Sequence, residues 1–420
     1  MTQFRTIDHP VVGMIRWDPD RPAEWINDHI VMVHATSNVY AVIDPAGDVV
    51  INTGTTQQGD RIREKIEALI GRPLRISRVI FTQNHVDHIG GWRSFYDEGT
   101  EMIAQTMFPL LVSERRALNN FFWQRNVRVI AAMVPPGQSA VSLDPGDPEP
   151  VTLFDKELEF EVGGRVFRLE SIWAGETLDS IAIWLPGEDT VFTGNWAGAI
   201  HGALPNFYTA RGDRQRSVPE WLRQCRAILA RKPEVLITGH EQPIRGFAQI
   251  SADLTKVHDA IKLIHDRTVT GMEAGESLVS LRETITLPAE LTPRPGRCPV
   301  NWIVRAVYEE YAGWFKQELT SELYPTSPTA IWPELVEAAG GADAIAARAA
   351  DHLAKGDAEK ALHLIEMAVF AEPQNPAIRK TEIAVYDALA DRTEGKIFDL
   401  LGWLEGRIMA ANAVLAQQPA

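Results

Sequence analysis

Hydrophobic and β-branched residues occur in short runs between residues 30 and 245, and turn residues or helical stretches separate the runs. The runs are IVMVHA, NVYAVID, DVVINTG, RVIFTQ, SIAIWLP, TVFTG and EVLITGH, most of them bounded by Gly, Pro, Asp or Asn as strand ends should be. Two segments with apolar residues at helical spacing, RIREKIEALIG and VPEWLRQCRAILARK, precede two of these runs. The pattern predicts an α/β domain whose sheets are covered by helices.

The pattern changes after about residue 247, where strand-like runs stop and helical spacing continues to the end. Residues 342–392 place small and apolar residues as paired antiparallel helices need them, with GD and EPQNP at the turns, in a manner similar to tetratricopeptide packing. We therefore predict two domains, residues 1–246 and a helical 247–420. The helical domain must bury its apolar face against the first domain, a second copy of the chain or both, and a homodimer is expected.

Length and charge narrow the kind of partner. At 420 residues the chain is long for one core, which also favours two main domains. A formal net charge of −15 disfavours nucleic acid, whose phosphates need clustered Lys and Arg, and weakens any case for anionic membranes. A small molecule is the expected partner.

Several other classes of protein find no support in the sequence. Cys225 and Cys298 lie far apart and outside any C-x-x-C pattern, which predicts buried structural thiols. The N-terminus lacks a basic segment followed by an apolar one, so a cytoplasmic location is expected. A nucleotide cofactor and a serine nucleophile are not expected, because no G-x-G-x-x-G follows a strand and neither a Walker motif nor a G-x-S-x-G elbow occurs.

The segment FTQNHVDHIGG, residues 81–91, carries His85, Asp87 and His88 in a loop just after the predicted strand RVIF. Imidazole and carboxylate groups at this spacing suit zinc or a similar divalent ion. By themselves the three residues also fit an ordinary polar loop. The sequence therefore indicates a metal site only if further ligands join them.

Three later residues with ligand-type side chains also lie at strand ends. Glu176 precedes the run SIAIWLP, Asn195 follows TVFTG, and His240 follows EVLITG. At such positions the three side chains can converge with the 81–91 loop on one edge of the sheets.

This order of motifs resembles the metallo-β-lactamase fold, in which HxHxDH is followed by a Gly-His turn, a bridging Asp and a final Gly-His. Within that superfamily the chain is most similar to the alkylsulfatases, which have Glu at the Gly-His position, as Glu176 here, and a YTLRG-like segment, here YTARG at 208–212. Residues 304–315 and 334–345 resemble their helical dimerisation domain. The resemblance implies an αββα sandwich followed by an all-α, tetratricopeptide-like dimerisation domain. The sterol-carrier-like domain that often ends the pattern is not expected, so compact substrates are favoured over long-chain detergents.

The resemblance assigns two metal sites, with Gln83, His85 and Glu176 in the first, Asp87, His88 and His240 in the second, and Asn195 at the bridging position. Gln83 and Asn195 depart from the family pattern. An amide oxygen is a weaker ligand than imidazole, and Asn195 supplies no negative charge to hold two dications together. We therefore favour one Zn²⁺ per chain in the second site, with two as the alternative.

The resemblance also implies substrate contacts. Arg211 matches the arginine that alkylsulfatases aim at the sulfate, and Asn206 and Tyr208 in the same segment are further substrate-binding candidates. Trp123 and Trp302 stand in segments that replace family contact residues and are assigned to an apolar pocket, although such aromatics are also typical of a core.

The predicted activity is hydrolysis of an ester-type bond, with an alkyl sulfate as the nearest family substrate and metal-activated water as the nucleophile. The candidate catalytic groups are Asp87, Arg211 and His201, whose imidazole is a possible proton source or merely a solvated loop side chain. Two alternatives remain open. One is a lyase-type enzyme that uses the metal only as a Lewis acid, and the other is a catalytically degenerate small-molecule binder.

Overall fold

The computed structural model describes residues 5–130, 146, 148–198 and 200–417. Over these ranges seven strands form the first sheet, in sequence order. They are β1 Glu24–Trp25, β2 Ile30–Val33, β3 Val39–Val42, β4 Asp48–Ile51, β5 Ile76–Ile80, β6 Glu101–Gln105 and β7 Thr152–Phe154. The first four strands pair antiparallel, and β4 to β7 pair parallel across longer connections, as parallel pairing requires.

The second sheet contains six strands of the described chain, in the order β13-β12-β11-β10-β9-β8. They are β8 Glu157–Val162, β9 Arg165–Ser171, β10 Ile181–Leu185, β11 Thr190–Gly194, β12 Val235–Thr238 and β13 Ile244–Arg245. Only β11 and β12 pair parallel among these described strands, and the connection between them carries a helix.

The helices from residue 10 to residue 312 accompany the two sheets along the chain. They are α1 Pro10–Ile15, α2 Gly59–Ile70, α3 Val86–Ile89, α4 Phe108–Ala117, α5 Asn119–Ile130, α6 Val218–Ala230, α7 Phe247–Glu273, α8 Leu278–Thr284 and α9 Val300–Ala312. In the described part of the chain, none of the helices combines the length and the apolar character that a membrane crossing needs.

Three apolar clusters build the layers of the sandwich. One cluster lies between the sheets, where Met32 and Tyr40 of the first sheet meet Ile183 and Phe192 of the second. Another packs the outer face of the first sheet against α2 and α4, and a third packs the outer face of the second sheet against α6 to α9. The αββα sandwich predicted from the sequence is thus confirmed.

The unit that holds both sheets extends beyond the predicted domain boundary at residue 246. It comprises the described residues of 10–124 and 141–310. The reason is packing, because Ile261 on α7 and Val304 on α9 are fully buried in the same cluster as Trp221 on α6.

The second unit combines residues 5–9, 125–130 and 311–417 of the described chain. Its helices are α10 Trp332–Ala338, α11 Ala342–Ala354, α12 Ala358–Ala371, α13 Pro376–Arg392 and α14 Phe398–Ala416. Small buried residues such as Ala349 and Ala361 let successive helices approach closely, and Ile365 fills their core. The all-helical second part predicted from the sequence is confirmed.

Candidate metal centre

Strand ends from both sheets meet at one edge of the sandwich. Glu176 precedes β10, which is antiparallel to β11, while Asn195 follows β11 and His240 follows β12, which is parallel to β11. The loop after β5 joins this edge through a 3.0 Å hydrogen bond from Ile181 N to Thr82 O. The topology therefore gathers side chains that are far apart in sequence.

Asp87, His88 and His240 form a compact cluster at this edge. The Nε2 atoms of His88 and His240 each lie 3.8 Å from Asp87 Oδ2, and the ligand-type atoms of the three residues all lie within 4.8 Å of one another. The two imidazole rings are nearly perpendicular, at 89°, with centroids 5.8 Å apart. One carboxylate and two imidazoles at this spacing are a donor set typical of zinc with an open position.

A second contact fixes which nitrogen of His240 faces the cluster. His240 Nδ1 lies 2.7 Å from Thr36 O. A carbonyl oxygen only accepts hydrogen bonds, so Nδ1 carries the proton and the Nε2 lone pair faces Asp87. Such a backbone contact orients a ligating imidazole and raises its basicity.

The protonation states in the cluster also suit a cation. Burial by itself raises the pKa of Asp87, but the imidazoles of His88, His240 and His85 outweigh it and hold the pKa well below its usual value. Burial lowers the pKa of His88 to about 3 and also lowers the pKa of His240. At neutral pH the cluster therefore presents one carboxylate and two neutral imidazoles, the states that bind a divalent metal.

Asn195 supplies an independent sign that this cluster fits a metal ion or the water beside it. Its Oδ1 atom is buried beside the imidazole of His88, and no described residue donates a hydrogen bond of normal geometry to it. A Cβ atom at Gly239 would lie 2.1 Å from this oxygen and 3.0 Å from His88 Cε1, so only glycine fits between them. A buried acceptor without a partner costs free energy, which a bound ion or water at the cluster would remove.

The residues predicted for the first metal site lie together but are bonded differently. His85 Nδ1 lies 3.6 Å from Glu176 Oε1 and 2.6 Å from Gln83 Nε2, and His85 Nε2 lies 3.2 Å from Asp213 Oδ2. Glu176 pairs with the buried guanidinium of Arg216 at 2.8 and 2.9 Å. This donor set fits a second metal ion poorly, because both oxygens of Glu176 face the guanidinium of Arg216, whose positive charge repels a dication.

Asp213 and Arg216 were not among the residues singled out in the sequence. The only signal is their place in RGDRQRS, a charged stretch directly after the YTARG segment, which equally suits an exposed loop. Burial raises the pKa of Asp213, but the hydrogen bond from His85 and the positive charges of Arg216 and Arg115 hold it well below its usual value. Asp213 is therefore ionised in the folded protein.

The remaining candidates surround the site less closely. Arg211 and Arg115 are both partly buried. Burial is the largest influence on Arg115 and lowers its pKa, and the charge of Arg211 lowers it further. Asn206 is buried, and its backbone oxygen accepts from Arg216. The ring of Tyr208 lies 5.6 Å below the guanidinium of Arg305.

His201, Trp123 and Trp302 are in three different surroundings. His201 and His240 both line a cavity of about 1030 Å³, and His201 Nε2 lies 3.3 Å from Asp253 Oδ2. Trp123 is partly buried on α5. Trp302 on α9 packs against the apolar cluster outside the second sheet, which is the environment of a core residue.

Two family models match the chain. The metallo-beta-lactamase superfamily matches residues 34–240, and alkyl sulfatase dimerisation matches residues 280–398. An alkyl/aryl-sulfatase of Saccharomyces cerevisiae is 26% identical over 79% of this chain and 54% of its own length. A linear primary-alkylsulfatase of Pseudomonas sp. is 26% identical over 77% of this chain and 65% of its own length. The chain thus spans between half and two thirds of the length of these relatives.

A solved structure supports the fold. The stereoselective inverting sec-alkylsulfatase from Pseudomonas sp. superposes with a TM-score of 0.80 at 23% identity, covering 95% of this chain and 66% of that chain. At 23% identity this similarity shows that the two proteins share a fold.

Proposed function

Because the chain belongs to the metallo-β-lactamase superfamily, with an alkylsulfatase-like architecture, we propose that it is a metal-dependent hydrolase of sulfate esters or related small esters. The observation that carries the proposal is the cluster of Asp87, His88 and His240, whose ligand-type atoms lie within 4.8 Å of one another. We further propose that the cluster holds a single Zn²⁺ ion. The relatives named as alkylsulfatases support the sulfate ester as the substrate class.

Residues around the cluster would have distinct roles in such a reaction. A bound zinc ion supplies a Lewis acid and lowers the pKa of a water molecule. Asp87, His88 and His240 would hold the ion, and Asn195 Oδ1 would offer an acceptor beside it. Arg211 would provide a planar set of donors for a tetrahedral oxyanion. The guanidinium of Arg115, which interacts electrostatically with Arg211, is paired with Asp213 at 3.7 Å.

His201 is a weaker candidate for the proton donor than its position in the sequence suggests. Burial is the largest influence on its imidazole and lowers its pKa, although Asp253 and Glu241 act in the opposite direction. The ring is therefore neutral at pH 7 and accepts a proton more readily than it donates one. We assign it no acid role.

Incubation of the zinc-loaded protein with alkyl and aryl sulfates in ¹⁸O-labelled water tests the reaction. Hydrolysis places the label in the sulfate or in the alcohol, whereas a lyase forms product without label. Zinc binding without turnover across sulfates, esters and lactones would favour the binding protein. The matched metal-site variants are His240→Ala and, as a control, His352→Ala in the helical unit. Loss of one ligand should weaken zinc binding more than about 100-fold, since loss of a supporting partner alone costs 10- to 100-fold.

The exposed apolar residues of the second unit support a homodimer. Trp314 is 70% exposed, Tyr324 is 67% exposed, and Leu319 and Leu323 between them are also exposed. A patch of this kind is typical of a protein interface, and the alkyl sulfatase dimerisation model covers these residues. We propose that this patch pairs with its copy in a second chain. The cytoplasmic location stays a prediction.

A further inference from the structure

The carboxylate of Glu176 has both of its oxygens bound to one guanidinium. Arg216 Nη1 donates to Oε2 at 2.8 Å and Nη2 donates to Oε1 at 2.9 Å. Arg216 is 2% exposed and Glu176 is 8% exposed, so water does not screen the pair. A two-pronged pair of this kind is among the strongest that a carboxylate forms with a side chain, and the charge of the guanidinium offsets the charge with which Glu176 would attract a metal ion.

The imidazole of His85 is also fully engaged. Gln83 Oε1 accepts from Asn195 N at 3.1 Å, which turns the amide nitrogen of Gln83 towards His85 Nδ1, 2.6 Å away. This nitrogen donates, so Nδ1 is the acceptor and the proton of the ring sits on Nε2. His85 Nε2 then donates to Asp213 Oδ2 at 3.2 Å. The lone pair of His85 is used by a neighbouring amide.

From these contacts we propose that the guanidinium of Arg216 takes the place of one of the two metal ions implied by the fold. The site would then combine one exchangeable cation, at Asp87, His88 and His240, with one permanent cation on the chain itself. This inference rests on the proposed assignment of zinc to that cluster.

Charge explains why the replacement is stable. A guanidinium cannot lose its proton at any accessible pH, so Arg216 repels a second dication permanently. Asn195 at the bridging position brings no negative charge that would offset the repulsion. Restoring ligands alone is therefore not enough to recruit a second metal, because the positive charge has to leave as well.

Zinc stoichiometry in a set of full-length variants tests this. We measure Zn²⁺ per chain by equilibrium dialysis and elemental analysis for the wild type, for Gln83→His with Asn195→Asp, and for that double variant with Arg216→Met or Arg216→Lys added. We expect about one zinc ion in the wild type, in the double variant and with lysine, and about two only with methionine. Lysine keeps the positive charge at position 216 and methionine removes it, while both side chains are smaller than arginine. Comparing the two variants therefore shows whether charge or side-chain volume excludes the second metal ion.

Each outcome has a distinct meaning. Two zinc ions in the double variant that keeps Arg216 would overturn the inference, as would one ion in the methionine variant. A wild type that binds no zinc would instead refute the metal assignment on which the proposed function rests. If removal of Arg216 prevents folding, Glu176→Gln in the wild type gives the answer. In Glu176→Gln we expect zinc affinity to change less than about threefold, whereas Asp87→Asn should lower it more than about 100-fold. A large loss of affinity in Glu176→Gln would show that Glu176 binds metal and would overturn the inference.

Discussion

Helix α7 begins where the sequence placed the start of a separate helical domain, yet its Ile261 is fully buried in the cluster outside the second sheet. The variant Ile261→Ala removes three carbon atoms from this cluster. At about 0.8 kcal/mol per buried carbon the transfer cost is about 2.4 kcal/mol. The cavity adds to it, because a close-packed cluster, which here includes the stacked rings of Trp196 and Trp221, relaxes only partly. We expect a total loss of about 3–4 kcal/mol for the unit that contains both sheets.

Hydrogen exchange with peptide resolution measures this loss, because the two units need not unfold together. In Ile261→Ala the amides of β12 should exchange about 100- to 1000-fold faster, since each 1.4 kcal/mol is a factor of ten. The matched control is Ile365→Ala on α12, equally buried in the core of the second unit. It should accelerate exchange in α11 to α13 and leave β12 unchanged. If Ile261→Ala instead accelerates only the helices beyond residue 311, the assignment of α7 to the sheet unit is wrong.

Three further predictions concern other parts of the chain. Cys225 and Cys298 are both buried, and burial raises the pKa of Cys225 to about 12, so a thiol reagent should label neither in the native protein and both after denaturation. Asp213→Asn should lower the free energy of unfolding at pH 7 by about 2–4 kcal/mol, because it removes the charge from a largely buried partner of His85. Urea denaturation measures this change. A loss below about 0.5 kcal/mol, which is typical of exposed surface sites, would contradict the burial of Asp213. Trp314→Glu should convert the proposed dimer to a monomer in light scattering, because it places a charge in the exposed apolar patch. A dimer mass that stays unchanged would mean that the interface lies elsewhere.

The sequence by itself determined the features that contiguous residues encode. The alternation of apolar runs and turns predicted an α/β domain whose sheets are covered by helices, and the resemblance carried by the order of the motifs implied the αββα sandwich. Asp87 and His88 stand in one short helix directly after β5, so their proximity is a local property. The burial of both cysteines, Cys225 and Cys298, also followed from their type and isolation, and the structure confirms it.

Only the tertiary structure decided how the charges around the site are balanced. Arg216 and Glu176 are 40 positions apart, and Asp213 and His85 are 128 positions apart, so nothing in the local pattern marks either pair. The extent of the sheet unit was likewise a tertiary matter, because α7 to α9 carry the same helical periodicity whether they cover a sheet or another helix. Which apolar face a helix meets, and which cation a buried carboxylate accepts, depend on contacts that form only when distant segments pack.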